Sequence, residues 1–275
     1  MKESMGQDCS ISAAGVLPPP KVSVVTVNYN MRQGLERTVA SVLSQTYPNL
    51  EYLIIDGGSK DGSIDVIHRH AGDVAYWVSE SDKSLYDAMN KGARAATGDW
   101  VLFMNSDDCF VNDQVIADIF SENHADADLV YGHARRRYEA YGLERVVRAE
   151  RPSVLPWRMH CSHQSLFVRR ELLLENPFAD NISADYEFLL TAYSQKRRFK
   201  LVDRVISVVT QGGISDTQRL ASLSERWKVL KDRGLITPLL AAGYAYLAVR
   251  ALVGTYGKRI LGRQVTTWIL RSRRS

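Results

Sequence analysis

Strand-like and helix-like segments alternate through the first hundred residues, and three short apolar runs empty into polar loops carrying Asn28, Asp56 and Asp107. This alternation predicts an α/β fold with a mostly parallel sheet flanked by helices, because parallel neighbours need a crossover connection and a helix supplies it. In open sheets of this class, ligands bind beyond the carboxyl ends of the strands. The loops after the strands are therefore where chemistry is expected.

The first strand is read at residues 22–27, a β-branched run that ends at Asn28, Tyr29 and Asn30. Leu35, Val39, Val42 and Leu43 then recur at helical spacing up to Tyr47 and Pro48. A second apolar run at 52–55 opens into a glycine-rich stretch at 56–63, after which 64–70 reads as helix and 74–78 as a third strand. Ser84 and Asp87 have capping-box spacing. The helix they start places Leu85, Ala88, Met89, Gly92, Ala93 and Ala96 on its packing side and stops at Gly98. Residues 100–104 form a buried-strand run that delivers Asp107 and Asp108 to one place. Farther along, 115–120 reads as helix, 129–131 as strand and 135–150 as a hairpin about Gly142. Residues 161–168 read as a strand with His163 and Gln164 inside it. Ser183 is placed as the cap of a helix with Asp185 in its first turn, and 199–209 is the last strand. No internal repeat is present.

With 275 residues, 45% apolar and 24% charged, the chain can bury a full core and is neither disordered nor fibrous in composition. Cys9, Cys109 and Cys161 are odd in number and widely spaced, which argues for reduced thiols rather than a disulfide framework. Residues 1–20 hold no apolar core of signal-peptide length and are interrupted by Pro18, Pro19 and Pro20, so a loose tail is expected there. The net charge of +4 conceals an asymmetry: residues 219–275 carry twelve Lys or Arg against Glu225 and Asp232, which leaves the first 218 residues acidic. The two parts are expected to have different tasks.

Adjacent carboxylates at a strand end, Asp107 and Asp108, suit a hard divalent cation such as Mg²⁺ or Mn²⁺, and equally suit an acidic surface turn. Asp56 sits before glycines that let a ligand approach the backbone, or that simply serve a turn. Asp185 is a candidate general base or a plain helix-capping acid. His160 and His163 flank Cys161, but no second ligand pair at finger spacing accompanies them and zinc is not supported. The standard glycine-rich dinucleotide and P-loop patterns are absent from the sequence.

Taken together and in order, these pieces resemble the family 2 glycosyltransferases of the GT-A fold, over residues 21–215. The resemblance rests on Val-Ser-Val-Val-Thr-Val-Asn-Tyr-Asn at 22–30, Ser-Val-Leu-Ser-Gln-Thr-Tyr-Pro at 41–48 and Asp-Gly-Gly-Ser-Lys-Asp-Gly-Ser at 56–63. It continues in Ser-Glu-Ser-Asp-Lys-Ser-Leu-Tyr-Asp-Ala-Met-Asn-Lys-Gly at 79–92, Asn-Ser-Asp-Asp at 105–108, His-Gln-Ser-Leu-Phe at 163–167, Ser-Ala-Asp-Tyr-Glu at 183–187 and Gly-Gly-Ile-Ser at 212–215. Within the family the pattern looks like bacterial exopolysaccharide transferases of the colanic acid type. The resemblance implies a Rossmann-like mixed sheet, mostly parallel, and an inverting transfer from a nucleoside diphosphate sugar, UDP-linked first and GDP-linked second, to a glycan or lipid-linked acceptor. It implies that Asp56 contacts the nucleobase, that Asp82 and Lys83 bind the sugar nucleotide with Asn28 and Asn105, and that Asp107 and Asp108 hold Mg²⁺ or Mn²⁺. Asp185 falls at the catalytic base, and His163 and Gln164 line the cleft or acceptor side. One departure is that Asn105 stands where the family's metal motif usually opens with an acid. A sugar nucleotidyltransferase would be expected to show a basic, glycine-rich N-terminal loop, and none is visible. A non-catalytic glycan- or nucleotide-binding protein would tolerate loss of Asp185 or Asp107, yet both positions are filled.

The basic part, 216–275, reads as a helical extension. Residues 235–253 are nearly continuous apolar, broken by Thr237, Pro238, Gly243 and Arg250, and flanked by Lys and Arg on both sides. Arg250 and Pro238 argue against a membrane span, and an amphipathic segment lying on an anionic membrane face is expected instead. That places the protein in the cytoplasm at the inner face of the cytoplasmic membrane. The alternatives are an extension packed on the catalytic domain or on a partner subunit of a homo-oligomer. No nucleic-acid partner is expected.

Overall fold

The structure, a computed structural model, describes residues 18–211 and 218–260. The expected N-terminal tail up to residue 17 and the Gly-Gly-Ile-Ser stretch at 212–215 lie outside the described residues. The amino-terminal half alternates β1 (Val22–Asn28), α1 (Arg32–Leu43), β2 (Leu50–Asp56), α2 (Ser63–Arg69), β3 (Tyr76–Ser79), α3 (Leu85–Ala95) and β4 (Trp100–Phe103). There follow β5 (Cys109–Phe110), α4 (Val115–Phe120), β6 (Leu129–Tyr138), β7 (Leu143–Val147), β8 (Leu166–Arg169), α5 (Arg170–Glu175), α6 (Ala184–Ser194) and β9 (Phe199–Thr210). Two helices close the chain, α7 (Arg219–Asp232) and α8 (Pro238–Ile260).

All nine strands join one sheet in the order β3-β2-β1-β4-β8-β6-β9-β5, with β7 paired to β6. The β3-β2-β1-β4 block is parallel, β8 runs antiparallel to both β4 and β6, and β6 and β9 are parallel. Side chains alternate between two cores, as a period of two requires. Val22 and Val24 of β1, Tyr52 and Ile54 of β2, and Trp100 and Leu102 of β4 pack with α1, α2 and α4. Val25, Val27, Leu53, Ile55, Val101 and Phe103 face the other way, onto α3, α5, α6 and the two C-terminal helices. The polar residues inside β1 are satisfied locally: Ser23 Oγ donates to Glu51 Oε2 at 2.5 Å, and Thr26 and Tyr52 share a hydrogen bond of 3.0 Å.

Four readings shift. The third strand lies at Tyr76–Ser79 rather than 74–78, and β6 extends to Tyr138 because it pairs with both β7 and the long β9. Residues 161–168 are not one strand: His163–Ser165 form a 3₁₀ turn and only Leu166–Arg169 pairs. The turn is needed because three polar side chains in it must find partners inside the molecule. Ser165 Oγ reaches the His133 carbonyl at 3.0 Å and Ser207 Oγ at 2.6 Å, while His163 and Gln164 bond into the site described below. Ser183 precedes α6 as expected but makes no cap with its side chain, which turns instead to Ser222 on α7.

The extension packs on the catalytic domain. Val229, Leu230, Leu240 and Tyr244 belong to the same core as α3 and α6. A Cβ at Gly243 would lie 2.6 Å from the Trp157 ring, so only glycine lets α8 approach that closely. Among the described residues no helix is long and apolar enough to cross a membrane.

Candidate active site

The register of the parallel block brings Asn28 beside Asp56, so two strands end on two polar residues at the same height. Asn28 ties three strand ends together. Its Nδ2 donates to Asp56 Oδ1 at 2.7 Å and to Ser59 Oγ at 3.1 Å, and its Oδ1 accepts from Ser106 Oγ at 2.8 Å. Asp56 is fully buried, and it also accepts from Ser59 Oγ at 2.6 Å, Ser59 N at 2.9 Å and Ser79 Oγ at 2.6 Å. Burial alone would push its carboxyl up, but Ser59, Ser79 and Asn28 outweigh it and hold it below the usual range. In this structure Asp56 therefore shapes the 56–59 loop, and it meets a nucleobase only where Ser59 or Ser79 gives way.

The residues after β4 are pulled in different directions. Asp107 has a left-handed backbone (φ 83°), and its carboxylate is held by the Arg37 guanidinium of α1, with Nε 2.8 Å from Oδ1. That contact raises the Arg37 pKa. A Cβ on Gly34 would come within 3.0 Å of Asp107 Cβ, so the first turn of α1 must be bare for the loop to seat there. Asp108 turns inward instead. Its Oδ2 accepts from Gln164 Nε2 at 2.7 Å and its Oδ1 from Thr210 N at 3.1 Å. Burial pushes its carboxyl up to about 6, against the opposing hydrogen bonds from Thr210 N and Gln164 Nε2. Both oxygens of Asp108, which is expected beside Asp107 as a metal ligand, are engaged inside the fold in this structure, where it braces β9 and the 163–165 turn.

Asn105 Nδ2 lies 3.0 Å from His163 Nε2, and His163 Nδ1 faces Asp185 Oδ2 at 3.5 Å. The other carboxylate oxygen, Asp185 Oδ1, accepts from Tyr86 OH at 3.1 Å and Tyr186 N at 2.8 Å. Asp185 is only 9% exposed. Burial alone would raise its pKa, but His163, with Arg226 and the Tyr186 N–H, more than compensates and keeps it below the ordinary carboxylate range. The structure thus unites Asn105, His163 and Asp185, which the sequence separates by up to 80 positions.

Asp82 and Lys83 part company. Asp82 pairs with Lys91 at 2.6 Å, and its Oδ2 comes to 3.3 Å from the place a Gly57 Cβ would occupy, so it stands against the Asp56 loop. Burial raises its pKa in spite of Lys91. Lys83 is exposed, and its backbone N–H donates to Asp87 Oδ2 at 3.1 Å. His160 is a core residue, packed edge-on against Tyr131 and Phe199, and burial lowers its pKa to about 4. The sequence reading missed Arg37, Tyr86, Lys91 and Thr210. Tyr86 and Lys91 lie inside the 79–92 piece, where a hydroxyl and an ammonium on a helix beside a polar loop were visible signals. Arg37 and Thr210 carried none.

Among the described residues no three of His, Cys, Asp and Glu form a metal-sized cluster. A Mg²⁺-type site needs less than that, because one carboxylate with substrate phosphate oxygens and water is an ordinary donor set. Asp107 fits such a role: in this structure its carboxylate already lies against a cation, the Arg37 guanidinium.

The model of glycosyl transferase family 2 matches residues 23–176. An uncharacterised glycosyltransferase of Mycobacterium tuberculosis is 35% identical over 183 residues, covering 63% of this chain and 69% of its own. A PGL/p-HBAD biosynthesis glycosyltransferase of Mycobacterium bovis is 29% identical over 217 residues, covering 72% and 80%. Among solved structures, a mannosyltransferase of Pyrobaculum calidifontis in complex with GDP-Man and Mn²⁺ superposes with a TM-score of 0.60 at 19% identity, covering 92% of this chain and 84% of that one. The match spans the parallel strand ends joined by Asn28 and the acidic loop after β4, and the chain belongs to glycosyl transferase family 2, with the GT-A fold.

Proposed function

We propose that the protein transfers a sugar from a UDP- or GDP-linked donor to a hydroxyl of a glycan or lipid-linked acceptor, with inversion, in the assembly of a cell-surface polysaccharide. The observation that carries this reading is Asp185: a nearly buried carboxylate kept ionised, with one oxygen fixed by two donors and the other, among the described residues, facing His163. A carboxylate in that state is a general base for an alcohol. The acceptor oxygen bonds to the anomeric carbon from the side opposite the diphosphate, and its proton passes to Asp185 Oδ2. The bond to the diphosphate oxygen breaks with its electron pair leaving on the nucleotide. One displacement by one base inverts the centre, whereas two flanking carboxylates would suit a retaining glycosidase.

On this reading the nucleotide lies on the Asn28–Asp56–Ser59 loop and against Asp82, with Lys83 extending from the rim. Asn105 presents a buried Oδ1 with no hydrogen-bond partner among the described residues, an acceptor suited to a donor hydroxyl. Asp107 is the carboxylate that would hold Mg²⁺ or Mn²⁺, and the bound cation would offset the charge growing on the departing diphosphate. The mannosyltransferase complex, which contains both a sugar nucleotide and Mn²⁺, supports this assignment by analogy of fold. A thermal-shift panel of UDP- and GDP-sugars with and without Mn²⁺ tests it. At least one donor is expected to stabilise the protein, and Asp107→Ala to remove the Mn²⁺-dependent part. Asp185→Asn is expected to keep donor binding and lower turnover by roughly 10²–10⁴-fold. Full turnover in Asp185→Asn, or stabilisation by no donor, would refute the assignment.

We also propose that the protein meets an anionic membrane through α8. Leu239, Tyr246, Val249 and Leu252 of α8 are exposed at helical spacing, with Leu235 exposed in the loop just before it, on the basic part of the chain.

A further inference from the structure

We propose that His163 is the positioning residue of Asp185 and that Asn105 sets its tautomer, so the three work as one polar unit behind the accepting face. This rests on the reading of Asp185 as the base. The argument starts at the amide. In the orientation the amide takes here, Asn105 Nδ2 is the donor and lies 3.0 Å from His163 Nε2, so that ring nitrogen presents its lone pair. A neutral imidazole then carries its proton on Nδ1. Nδ1 is the nitrogen that faces Asp185 Oδ2, at 3.5 Å.

The rest of the surroundings fix which oxygen is left to react. Tyr86 OH and Tyr186 N both donate to Asp185 Oδ1, so Oδ1 is saturated and the orientation of the carboxylate is set. Among the described residues Oδ2 is approached by His163, and that contact leaves lone pairs on it free. Asp185 belongs to α6, His163 to the turn before β8 and Asn105 to the end of β4. The unit therefore couples the loop that takes the donor to the helix that takes the acceptor.

This gives a physical reason for an amide where an acid is usual at position 105. An aspartate there would accept from Nε2–H, drawing the proton to the wrong nitrogen or making His163 a cation between two carboxylates. In either case the base would lose the neutral Nδ1–H donor that orients it. Asn105 supplies a donor to the ring, and its own Oδ1 has no partner among the described residues.

Two measurements decide the proposal. In protein labelled with ¹⁵N-histidine, the His163 signals, assigned by their loss in His163→Gln, are expected to show a protonated Nδ1 and an unprotonated Nε2 at neutral pH. Asn105→Asp is expected to move the proton to Nε2 or to both nitrogens. An Nε2–H tautomer in the unaltered protein would overturn the proposal. This readout does not depend on turnover, so it decides the question even if every donor in the panel fails and the functional reading falls. The second measurement is kinetic, following nucleoside diphosphate release from the UDP- or GDP-sugar that the panel identifies. His163→Ala is expected to lower kcat by roughly 10²-fold with donor KM changed by no more than about twofold. His163→Gln, which can accept from Asn105 and donate to Asp185, is expected to recover at least about tenfold of that loss. Equal loss in the two variants, or a defect confined to donor KM, would show that His163 does not position the base.

Discussion

Asp107 is held in a backbone conformation that a side chain rarely adopts, at a cost of order 1 kcal/mol or more. Its surroundings over-determine that state. Thr38 Oγ1 takes its N–H at 3.0 Å, Thr210 Oγ1 donates to its carbonyl at 3.3 Å, and Arg37 takes the carboxylate. The loop thus accepts strain in order to present one acid at the strand end. Asp107→Gly is expected to be more stable than Asp107→Ala by about 1 kcal/mol, a difference of a few °C in Tm, because glycine relieves the left-handed conformation and alanine does not. Both are expected to lose the Mn²⁺-dependent shift. An alanine variant as stable as the glycine variant would show that the backbone at 107 is not strained.

At the scale of the elements, the parallel strands are locked at their amino ends as well as at the site. Glu51 of β2 accepts from Lys21 Nζ at 2.8 Å, Ser23 Oγ at 2.5 Å and Thr97 N at 2.8 Å, which joins β1, β2 and the turn before β4. Burial would raise its pKa, but these donors lower it from 4.5 to about 2. A folded pKa below the unfolded value means stability that is present above about pH 4.5 and lost as pH falls toward 2, here about 3 kcal/mol. Glu51→Gln is expected to destabilise the protein at pH 7, and its deficit against the unaltered chain to shrink by more than half between pH 6 and pH 3 in urea unfolding. A deficit that does not change with pH would mean that the charge is not what matters. Local pattern revealed the parallel block and its three polar ends, because apolar runs followed by Asn, Asp and Gly are a short-range signal. The 163–165 turn was read as strand because its reason, the partners of Ser165 and Gln164, lies across the fold. For the same reason Arg37 and Thr210 were not legible: they meet Asp107 and Asp108 across 70 and 102 positions.

In the whole molecule the C-terminal helices are both core and surface. Leu240, Tyr244 and Ala251 are buried, whereas Leu239 is 71%, Tyr246 64% and Val249 59% exposed on the same helix. Removing the extension would strip the core, so surface substitutions are the proper probe of membrane contact. Leu239→Glu with Val249→Glu is expected to leave Tm within about 1 °C and to abolish co-sedimentation with vesicles containing anionic lipid. Undiminished sedimentation would exclude this face as the contact. The same helices touch the catalytic side. The Arg226 guanidinium of α7 lies 5.2 Å from the ring centre of Tyr186, the residue after Asp185, and Trp227 packs on Tyr244 of α8 with ring centres 5.4 Å apart. Any surface that binds α8 and alters its seating therefore acts on the helix that carries the base. By reciprocity, a surface whose binding shifted donor affinity in the cleft would have its own affinity shifted by the same factor when the cleft is occupied.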